Sequence, residues 1–393
     1  MKITFVCPTF DMGGGQRVIA LYADQLEARG HDVVVVAPPS RRRTPREVLR
    51  SVLRGRGFAW NPKKAPSHFD GLSHMTKVLD RYRPVSARDV PDADVVIATW
   101  WEAAEWVAEL PDRKGSKVYF IQGHEVFPYL PIDRVEATLR NDFCKITISQ
   151  RMIDILRDQY GEHDVALVPN GVDVRQFRTL RRSKRPTPAV GFVYSPGPVK
   201  GADVALKAYS IAAERVPGLR LVAFGAEPPC PQVKLASRME FTRLPSQRQI
   251  PRIYGQCDAW LFPSRNEGFG LPILEAMACR TPVIGTPTGA APELISQGGG
   301  VLVPMDDPEA MAEAIAAVVG LEDPEWRALS DAALNTARRN SWDASIDMFE
   351  AALEAAAASD NPTFEPSVNF AELKTAKARQ AQYEQEASEL VTS

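Results

Sequence analysis

Short apolar runs alternate along the chain with longer segments whose apolar residues recur at helical spacing. In the first half this pattern predicts six strands: Ile3–Cys7, Asp32–Ala37, Val95–Thr99, Lys117–Gln122, Lys145–Ser149 and Ala166–Pro169. The segment Gln16–Arg29 predicts a helix that ends at Gly30. Strands that are apolar almost throughout are buried on both faces, as in a parallel sheet covered by helices. The first half therefore predicts an α/β domain with a parallel sheet.

The same alternation starts again near residue 189, so we predict two Rossmann-like domains. The second has predicted strands at Val190–Tyr194, Leu219–Phe224, Trp260–Pro263, Pro282–Gly285 and Val301–Pro304, and predicted helices at Ala202–Arg215, Gly270–Ala278 and Pro308–Val319. The basic stretch Arg178–Pro188 lacks periodicity and predicts a linker. A further helix is predicted at Ala344–Ala358, before a polar tail. We expect domains over residues 1–180 and 186–342, followed by a helix and tail over 343–393.

Length and composition agree with two globular domains and exclude several classes of protein. A chain of 393 residues exceeds what one core usually supports, and its 45% hydrophobic and 24% charged residues are typical of globular proteins. The formal charge of -2 argues against a nucleic acid partner. Five cysteines without a Cys-x-x-Cys pair, no signal peptide and no apolar run near ~18 residues predict a cytoplasmic protein without disulfides.

A glycine-rich turn follows the first predicted strand. Backbone N–H groups of Gly13, Gly14 and Gly15 could approach a phosphate at the N-terminus of the next helix. The turn does not continue as Gly-x-Gly-x-x-Gly, because Val18 stands three residues after Gly15. The second strand ends in Ala37-Pro38-Pro39, where a dinucleotide-binding domain has a ribose-binding acid. This disfavours a dinucleotide-dependent dehydrogenase and leaves a phosphate site or a turn without a ligand.

The segment Ser264–Ile295 carries the strongest candidate chemistry. After a predicted strand, a loop presents Glu267, and Gly268-Phe269-Gly270 opens a helix that contains Glu275. Both carboxylates can face the crevice at the carboxyl ends of the strands, where open α/β sheets bind ligands. A helix N-terminus suits a diphosphate, and carboxylates accept hydrogen bonds from sugar and ribose hydroxyls. The combination predicts a nucleotide-sugar site.

This segment closely resembles the Glu-x7-Glu region of retaining glycosyltransferases with the GT-B fold, above all their family 4. Four further segments resemble that family: the glycine turn, Gln122-Gly123-His124-Glu125, Pro169-Asn170-Gly171-Val172-Asp173 and Lys200-Gly201. The helix after Trp342 resembles the family's helix that returns to the first domain. The resemblance covers residues 1–358 apart from the 41–75 region. It implies two Rossmann-like domains that face each other across a cleft, with residues 343–393 packed back on the N-terminal domain.

The resemblance also implies roles for the matched residues. Glu267 would bind donor-sugar hydroxyls, and Glu275 would accept hydrogen bonds from the ribose. Lys200 would neutralise charge on the departing diphosphate, and His124 would lie near the anomeric centre, although a structural histidine at a strand end is the alternative. The implied catalytic residues are His124, Lys200 and Glu267, and the implied donor-binding residues are Gly13, Gly14, Gly15, Asn170, Ser195, Gly268, Phe269, Gly270, Leu271 and Glu275. A nucleoside-diphosphate sugar would be the substrate, without a cofactor.

One position departs from the family pattern. Family members usually carry Gly-Arg a few residues before the lysine, and that arginine reaches the donor's diphosphate. Here Ser195 stands in its place. Lys200 and the helix dipole could suffice, Arg17 or Arg265 could substitute, or turnover could be weak.

No metal is expected. Asp92-Ala93-Asp94 spells the Asp-x-Asp of metal-dependent transferases, but it stands at the amino end of a predicted strand, away from the crevice. We interpret it as a solvated strand entrance. Asp306-Asp307 is interpreted as a cap for the helix that begins near Pro308.

Two segments are candidates for the acceptor side. Residues 41–64 are rich in Lys and Arg and predict a short basic amphipathic helix that could lie on an anionic membrane, at its inner face. A solvated loop or a groove for an anionic acceptor is the alternative. Trp100 and Trp101 could stack on an acceptor sugar, although core packing of Trp101 fits the sequence equally well. The acceptor-side candidates are Arg41, Arg42, Arg43, Arg50, Trp100 and Trp101.

The sequence thus predicts a retaining glycosyltransferase. It would move a sugar from a nucleoside-diphosphate sugar to a hydroxyl of a glycan, a lipid-linked saccharide or a small metabolite. A catalytically weak nucleotide-sugar-binding protein is one alternative. A sugar phosphorylase or nucleotide-sugar hydrolase on the same fold is another.

Overall fold

Two parallel sheets organise the computed structural model, which describes residues 1–40, 66–227 and 239–358. The first sheet has seven strands in the order β3-β2-β1-β4-β5-β6-β7. They are β1 Lys2–Val6, β2 Asp32–Ala37, β3 Thr76–Val78, β4 Val95–Ala98, β5 Ser116–Ile121, β6 Cys144–Thr147 and β7 Val165–Leu167. The strand order reverses between β1 and β4, so a crevice opens there at the carboxyl ends of the strands.

The second sheet has six strands in the order β10-β9-β8-β11-β12-β13. They are β8 Ala189–Val193, β9 Arg220–Gly225, β10 Met239–Arg243, β11 Ala259–Phe262, β12 Val283–Gly285 and β13 Gly300–Leu302. Its order reverses between β8 and β11, which places a second crevice at their carboxyl ends. β11 is buried along its whole length, because helices cover both faces of the sheet.

Helices alternate with the strands, as the sequence predicts. In the first half they are α1 Gly14–Ala28, α2 Trp101–Ala108, α3 Ile132–Leu139 and α4 Gln150–Tyr160. In the second half they are α5 Ala202–Arg215, α6 Ile250–Tyr254, α7 Leu271–Ala278, α8 Ala291–Ser296, α9 Pro308–Gly320, α10 Asp323–Arg339 and α11 Trp342–Ala358. The side chain of Asp307 accepts a hydrogen bond from the backbone N–H of Ala310 at 2.9 Å, so it caps α9.

The last helix, α11, packs on the first sheet and not on the second. The ring of Phe349 stacks on Tyr22 of α1 with ring centres 4.2 Å apart. At the helix surface Glu350 accepts hydrogen bonds from His31 at 2.7 Å and from Arg29 at 2.5 Å. The expected return of the chain to the first domain is therefore confirmed.

The two chain segments that pass between the sheets run side by side. Val172 pairs with Ser341 in an isolated bridge, and its N–H donates to the carbonyl of Asn340 at 3.0 Å. A side chain at Gly171 would overlap the backbone of Ser341, so glycine is required for this approach. The first sheet ends at residue 167 and the second begins at residue 189, while the domain bounds at 180, 186 and 342 remain a prediction.

The basic segment predicted as a linker is tied to the second domain. Arg182 donates to the fully buried Asp258 at 3.0 Å, and its guanidinium lies 4.4 Å from the ring centre of Trp326. The backbone N–H of Ala189 donates to the same carboxylate at 3.0 Å. These contacts fix the end of the linker at the start of β8.

Candidate active site

Three hydrogen bonds hold Glu267 in place. Its Oε1 atom accepts hydrogen bonds from Lys200 Nζ at 2.7 Å and from Ser264 Oγ at 2.9 Å. Its backbone N–H donates to Thr288 Oγ1 at 3.2 Å. Lys200 ends a short 3-10 turn, and the next residue, Gly201, has φ +65° and packs against the Pro263 carbonyl, where a side chain would clash. The chain thus places a cation beside Glu267 at the carboxyl edge of the second sheet.

Glu275 lies on α7 and is buried. Its Oε1 atom accepts a hydrogen bond from Arg17 Nη1 at 2.9 Å, and its Oε2 atom accepts one from the hydroxyl of Tyr254 at 2.8 Å. Arg17 belongs to α1 of the first domain, so this ion pair crosses the cleft. The side chains of Arg17 and Glu275 are 27% and 9% exposed, which leaves little room around the carboxylate.

Glycines allow the two domains to touch near these glutamates. A side chain at Gly268 would overlap the carbonyl oxygen of Gln122, which follows β5 in the first domain. The Gln122 side chain in turn donates to the carbonyl of Gly15 at 3.3 Å. The three segments predicted to form the site, around residues 13–15, 122–125 and 267–275, are therefore adjacent.

The glycine turn opens α1 as predicted. Gly13 is the N-cap residue, and its N–H donates to the side chain of Asp11 at 2.7 Å. Gly14 and Gly15 form the first turn of the helix, and both are exposed. Exposed N–H groups at a helix N-terminus are suited to a phosphate.

His124 lies at the end of the same crevice. Its Nε2 atom is 2.9 Å from the hydroxyl of Tyr160, on α4. Burial lowers the pKa of His124, so the imidazole is neutral at pH 7. The next residue, Glu125, has a pKa well above its ordinary range because of burial. The neutral His124 therefore brings no charge to this part of the crevice at pH 7.

The remaining donor-side candidates are the loop that opens α7, Asn170 and Ser195. Gly270 has φ +100° directly before Leu271, the first residue of α7, and the buried Phe269 accepts a backbone hydrogen bond from Ala290 at 2.8 Å. Asn170 is buried, and its Oδ1 atom has no hydrogen-bond partner among the described residues. Ser195 Oγ accepts a weak hydrogen bond from the N–H of Gly197 at 3.4 Å.

Arg265 is committed to other partners. Its guanidinium donates to both carboxylate oxygens of Asp203, at 3.0 and 2.7 Å, and to Asp306 at 2.6 Å. These carboxylates, Asp203 first, raise the pKa of Arg265. A guanidinium neutralised by two acids is a poor ligand for a diphosphate, which leaves Arg17 as the better of the two substitute cations.

The acceptor-side candidates are only partly described. Trp101 is buried at the start of α2, and the guanidinium of Arg134 lies 4.9 Å from its ring centre, which favours core packing for this residue. Trp100 is the N-cap residue of α2 and is partly exposed. The candidates Arg41, Arg42, Arg43 and Arg50 lie outside the described residues, as does the rest of segment 41–64.

A groove of about 440 Å³ lies between the two domains. One wall is α4, and the other is the segment from Pro287 to Glu293. Glu293 Oε1 accepts a hydrogen bond from the N–H of Gln150 at 3.0 Å, so a side chain of the second domain caps a helix of the first. Burial raises the pKa of Glu293.

The Asp-x-Asp sequence lies far from this groove. Asp92 pairs with Lys114 at 2.8 Å, and Asp94 accepts from the backbone of Lys2 at 2.6 Å, both at the amino edge of the first sheet. Within residues 1–40, 66–227 and 239–358, no three His, Cys, Asp or Glu side chains are grouped to hold a metal ion. No helix in these ranges has the length and apolar character needed to cross a membrane.

Four residues around the site were not predicted from the sequence. They are Tyr254, Tyr160, Thr288 and Glu293, which contact Glu275, His124, Glu267 and the N-terminus of α4 respectively. Thr288 and Glu293 follow the two glutamates within the segment Ser264–Ile295, whereas Tyr160 and Tyr254 come from segments without a recognised motif. Tyr160, Tyr254 and Thr288 reach the site by folding within their own domain, and only the Glu293 contact joins the two domains.

Comparisons with known proteins agree with this geometry. Residues 12–176 match the family described as Glycosyltransferase Family 4, and residues 187–320 match Glycosyl transferases group 1. The sucrose-phosphate synthase of Thermosynechococcus elongatus has a TM-score of 0.67 at 18% identity, covering 91% of this chain and 100% of that one. The Anabaena protein HepE, in complex with UDP and glucose, has a TM-score of 0.66 at 18% identity over 90% and 99% of the two chains. These likenesses establish the GT-B fold.

Curated relatives are more similar in sequence but match over a shorter span. The D-inositol 3-phosphate glycosyltransferase of Saccharomonospora viridis is 36% identical over 220 residues, 49% of this chain and 51% of that protein. The enzyme of the same name from Actinosynnema mirum is 34% identical over 48% and 51% of the two chains. The chain therefore aligns with about half the length of these curated relatives. By its two matched domains and its fold, it belongs to family 4 of the glycosyltransferases.

Proposed function

We propose that this protein is a retaining, metal-independent glycosyltransferase that moves a sugar from a nucleoside-diphosphate sugar to a hydroxyl acceptor. The observation that carries the proposal is the Lys200–Glu267 pair, 2.7 Å apart at the carboxyl edge of the second sheet. It faces the segment of the first domain that holds His124, because Gly268 touches the carbonyl of Gln122. A cation, a carboxylate and a neutral imidazole thus surround one crevice.

In this proposal Glu267 binds the hydroxyls of the donor sugar, and its position is fixed by Ser264 and Thr288. Glu275 binds the ribose. The N–H groups that open α7, with those of the glycine turn, bind the diphosphate through the positive ends of two helices. Asn170 and Ser195 complete the donor side.

The reaction then follows from the charges around the donor. The bond between the anomeric carbon and the diphosphate oxygen breaks, and the acceptor oxygen forms its bond on the same face of the sugar. The acceptor's proton passes to the departing phosphate oxygen. Lys200 stabilises the negative charge that develops on that diphosphate. The neutral His124 holds a donor hydroxyl or orients the acceptor.

The acceptor is a hydroxyl of a glycan, a lipid-linked saccharide or a small metabolite. The name of the curated relatives makes an inositol phosphate one such metabolite to test. A lipid-linked acceptor would suit a cytoplasmic protein that binds the inner membrane face through residues 41–64, with Arg41, Arg42, Arg43 and Arg50 on the anionic surface. If the protein sediments with anionic vesicles to the same extent after these arginines are neutralised, a membrane contact through them is ruled out.

The first test is a thermal-shift titration of the wild type and Glu275→Ala with UDP, GDP, ADP, CDP and TDP in EDTA. One nucleotide should raise the melting temperature of the wild type, and the shift should be lost in the variant because the ribose has lost its acceptor. NMR of the product formed from the matching donor then establishes whether the anomeric configuration is retained. Binding without transfer to any acceptor would favour the binding-protein alternative, and phosphate- or water-dependent turnover would favour the phosphorylase or hydrolase.

A further inference from the structure

Glu275 has a partner on each carboxylate oxygen. Tyr254, from the same domain, donates to Oε2 at 2.8 Å, and Arg17, from the opposite domain, donates to Oε1 at 2.9 Å. The Glu275 side chain is 9% exposed, so there is little room for a new donor at Oε1 while Arg17 occupies it. Ribose hydroxyls and Arg17 therefore compete for one oxygen atom, if Glu275 binds the ribose as proposed above.

Arg17 is suited to leave this contact. Its side chain is 27% exposed, and its guanidinium lies 5.8 Å from the ring centre of Phe177, which supports the planar group without holding it by hydrogen bonds. Of its five N–H donors, only one on Nη1 has an acceptor within the described part of the chain. The remaining donors are available to another anion.

The backbone of Arg17 lies beside the glycine turn. Its N–H donates to the carbonyl of Gly13 at 3.0 Å, so the side chain starts from the first turn of α1. That helix N-terminus is the first domain's contribution to the phosphate site. A guanidinium released from Glu275 would remain next to it, and guanidinium groups bind phosphates through two parallel hydrogen bonds.

We propose that Arg17 and the donor's ribose exchange on Glu275, and that the displaced guanidinium binds the donor's diphosphate. This inference rests on the proposed function. It makes Arg17 a donor-binding residue supplied by the domain opposite the nucleotide. Ser195 stands where the family has an arginine, and Arg265 is bound to two acids. Arg17 then supplies the cation for the diphosphate that neither of these positions provides.

The test compares the affinity for a nucleoside with the affinity for its diphosphate. Calorimetry in EDTA measures uridine and UDP, guanosine and GDP, and adenosine and ADP with the wild type, Arg17→Gln and Arg17→Lys. In Arg17→Gln the nucleoside should bind as tightly as in the wild type or more tightly, because its competitor is gone. The diphosphate should bind at least tenfold more weakly relative to the nucleoside. Arg17→Lys, which keeps the charge but not the planar fork, should lie between the two.

Arg29→Gln is the matched control, because Arg29 is the C-cap residue of the same helix and pairs with the acid Glu350 away from the site. Its diphosphate-to-nucleoside ratio should equal that of the wild type. An unchanged ratio in Arg17→Gln and Arg17→Lys would overturn the inference while leaving the proposed function in place. If the wild type binds none of UDP, GDP, ADP, CDP and TDP, the proposed function fails and the inference fails with it.

Discussion

Lys200 Nζ lies 2.7 Å from Glu267 Oε1, although 67 residues separate the two along the chain. In the proposed reaction these groups act on either side of the bond that breaks, one on the diphosphate and one on the sugar. Lys200→Ala should therefore lower kcat by about 10²–10³-fold with a smaller change in KM, as expected when a group stabilises charge mainly in the transition state. Steady-state kinetics with the donor identified by thermal shift would measure this.

Lys207→Ala is the control for that variant. Lys207 is an exposed lysine on α5, the helix that follows Lys200. Its loss changes the net charge by the same amount without touching the crevice, so kcat should stay within twofold. Equal losses of kcat in both variants would show that Lys200 acts through the net charge of the protein and not through a contact in the crevice.

The neutral state of His124 predicts the acid limb of the pH profile. Burial lowers its pKa from the ordinary value of 6.5, so more than half of the imidazole is neutral at pH 6.5. Transfer should therefore persist at pH 6.5, and the part of its decline due to His124 should appear at lower pH. Kinetics from pH 5 to 8 test this with His124→Gln, which should lose the part of the acid decline that His124 causes. The exposed His163, changed to Gln, should leave the profile unaltered.

Glu350 should make the attachment of α11 sensitive to acid. Burial opposes ionisation of this carboxyl, but hydrogen bonds from His31 and Arg29 outweigh it and lower the pKa below the ordinary 4.5. A lowered folded-state pKa stabilises the fold above the unfolded value, and the contribution is lost as pH falls through the folded value. Glu350→Gln should thus lower the melting temperature at pH 7, and the difference from the wild type should shrink progressively as pH falls below 4.5. Glu354→Gln, an exposed change on the same helix, should have no such pH dependence.

Gly268 should be intolerant of any side chain. A Cβ there would overlap the Gln122 carbonyl and push the two domains apart. Gly268→Ala should reduce transfer by at least tenfold but lower the melting temperature only slightly. The reason is that the contact lies between the two sheets, and each sheet keeps the helices that cover it. Gly71→Ala has open space around it and should match the wild type in both measurements. Full activity in Gly268→Ala would mean that the close approach is not needed for transfer.

The periodic pattern predicted the strands well because it reports burial. Each of the eleven predicted strands lies within two residues of an observed one. The strands without a prediction, β3 and β10, are edge strands whose residues are all at least partly exposed, so they lack the apolar run of a buried strand.

Contacts across the cleft could not be predicted in the same way. The motifs placed Glu275 and Arg17 in the site, but their pairing depends on how two separate sheets face each other. The basic segment Arg178–Pro188 is a further example: the sequence predicts a linker, and the partner of Arg182, the buried Asp258, is distant in sequence. Local pattern identifies the elements and most of the chemistry, while the partners of each charged group come from tertiary packing.

The bridge between Val172 and Ser341 has a consequence for how this protein is assembled from its parts. The chain passes from the first sheet to the second through Val172 and returns through Ser341, and these points are neighbours in space. In topological terms the second domain is an insertion into the first, with its entry and exit side by side. The first domain could then be made without the second by joining residue 172 to residue 341 through a short turn. In that shortened protein α11 would still cover Tyr22.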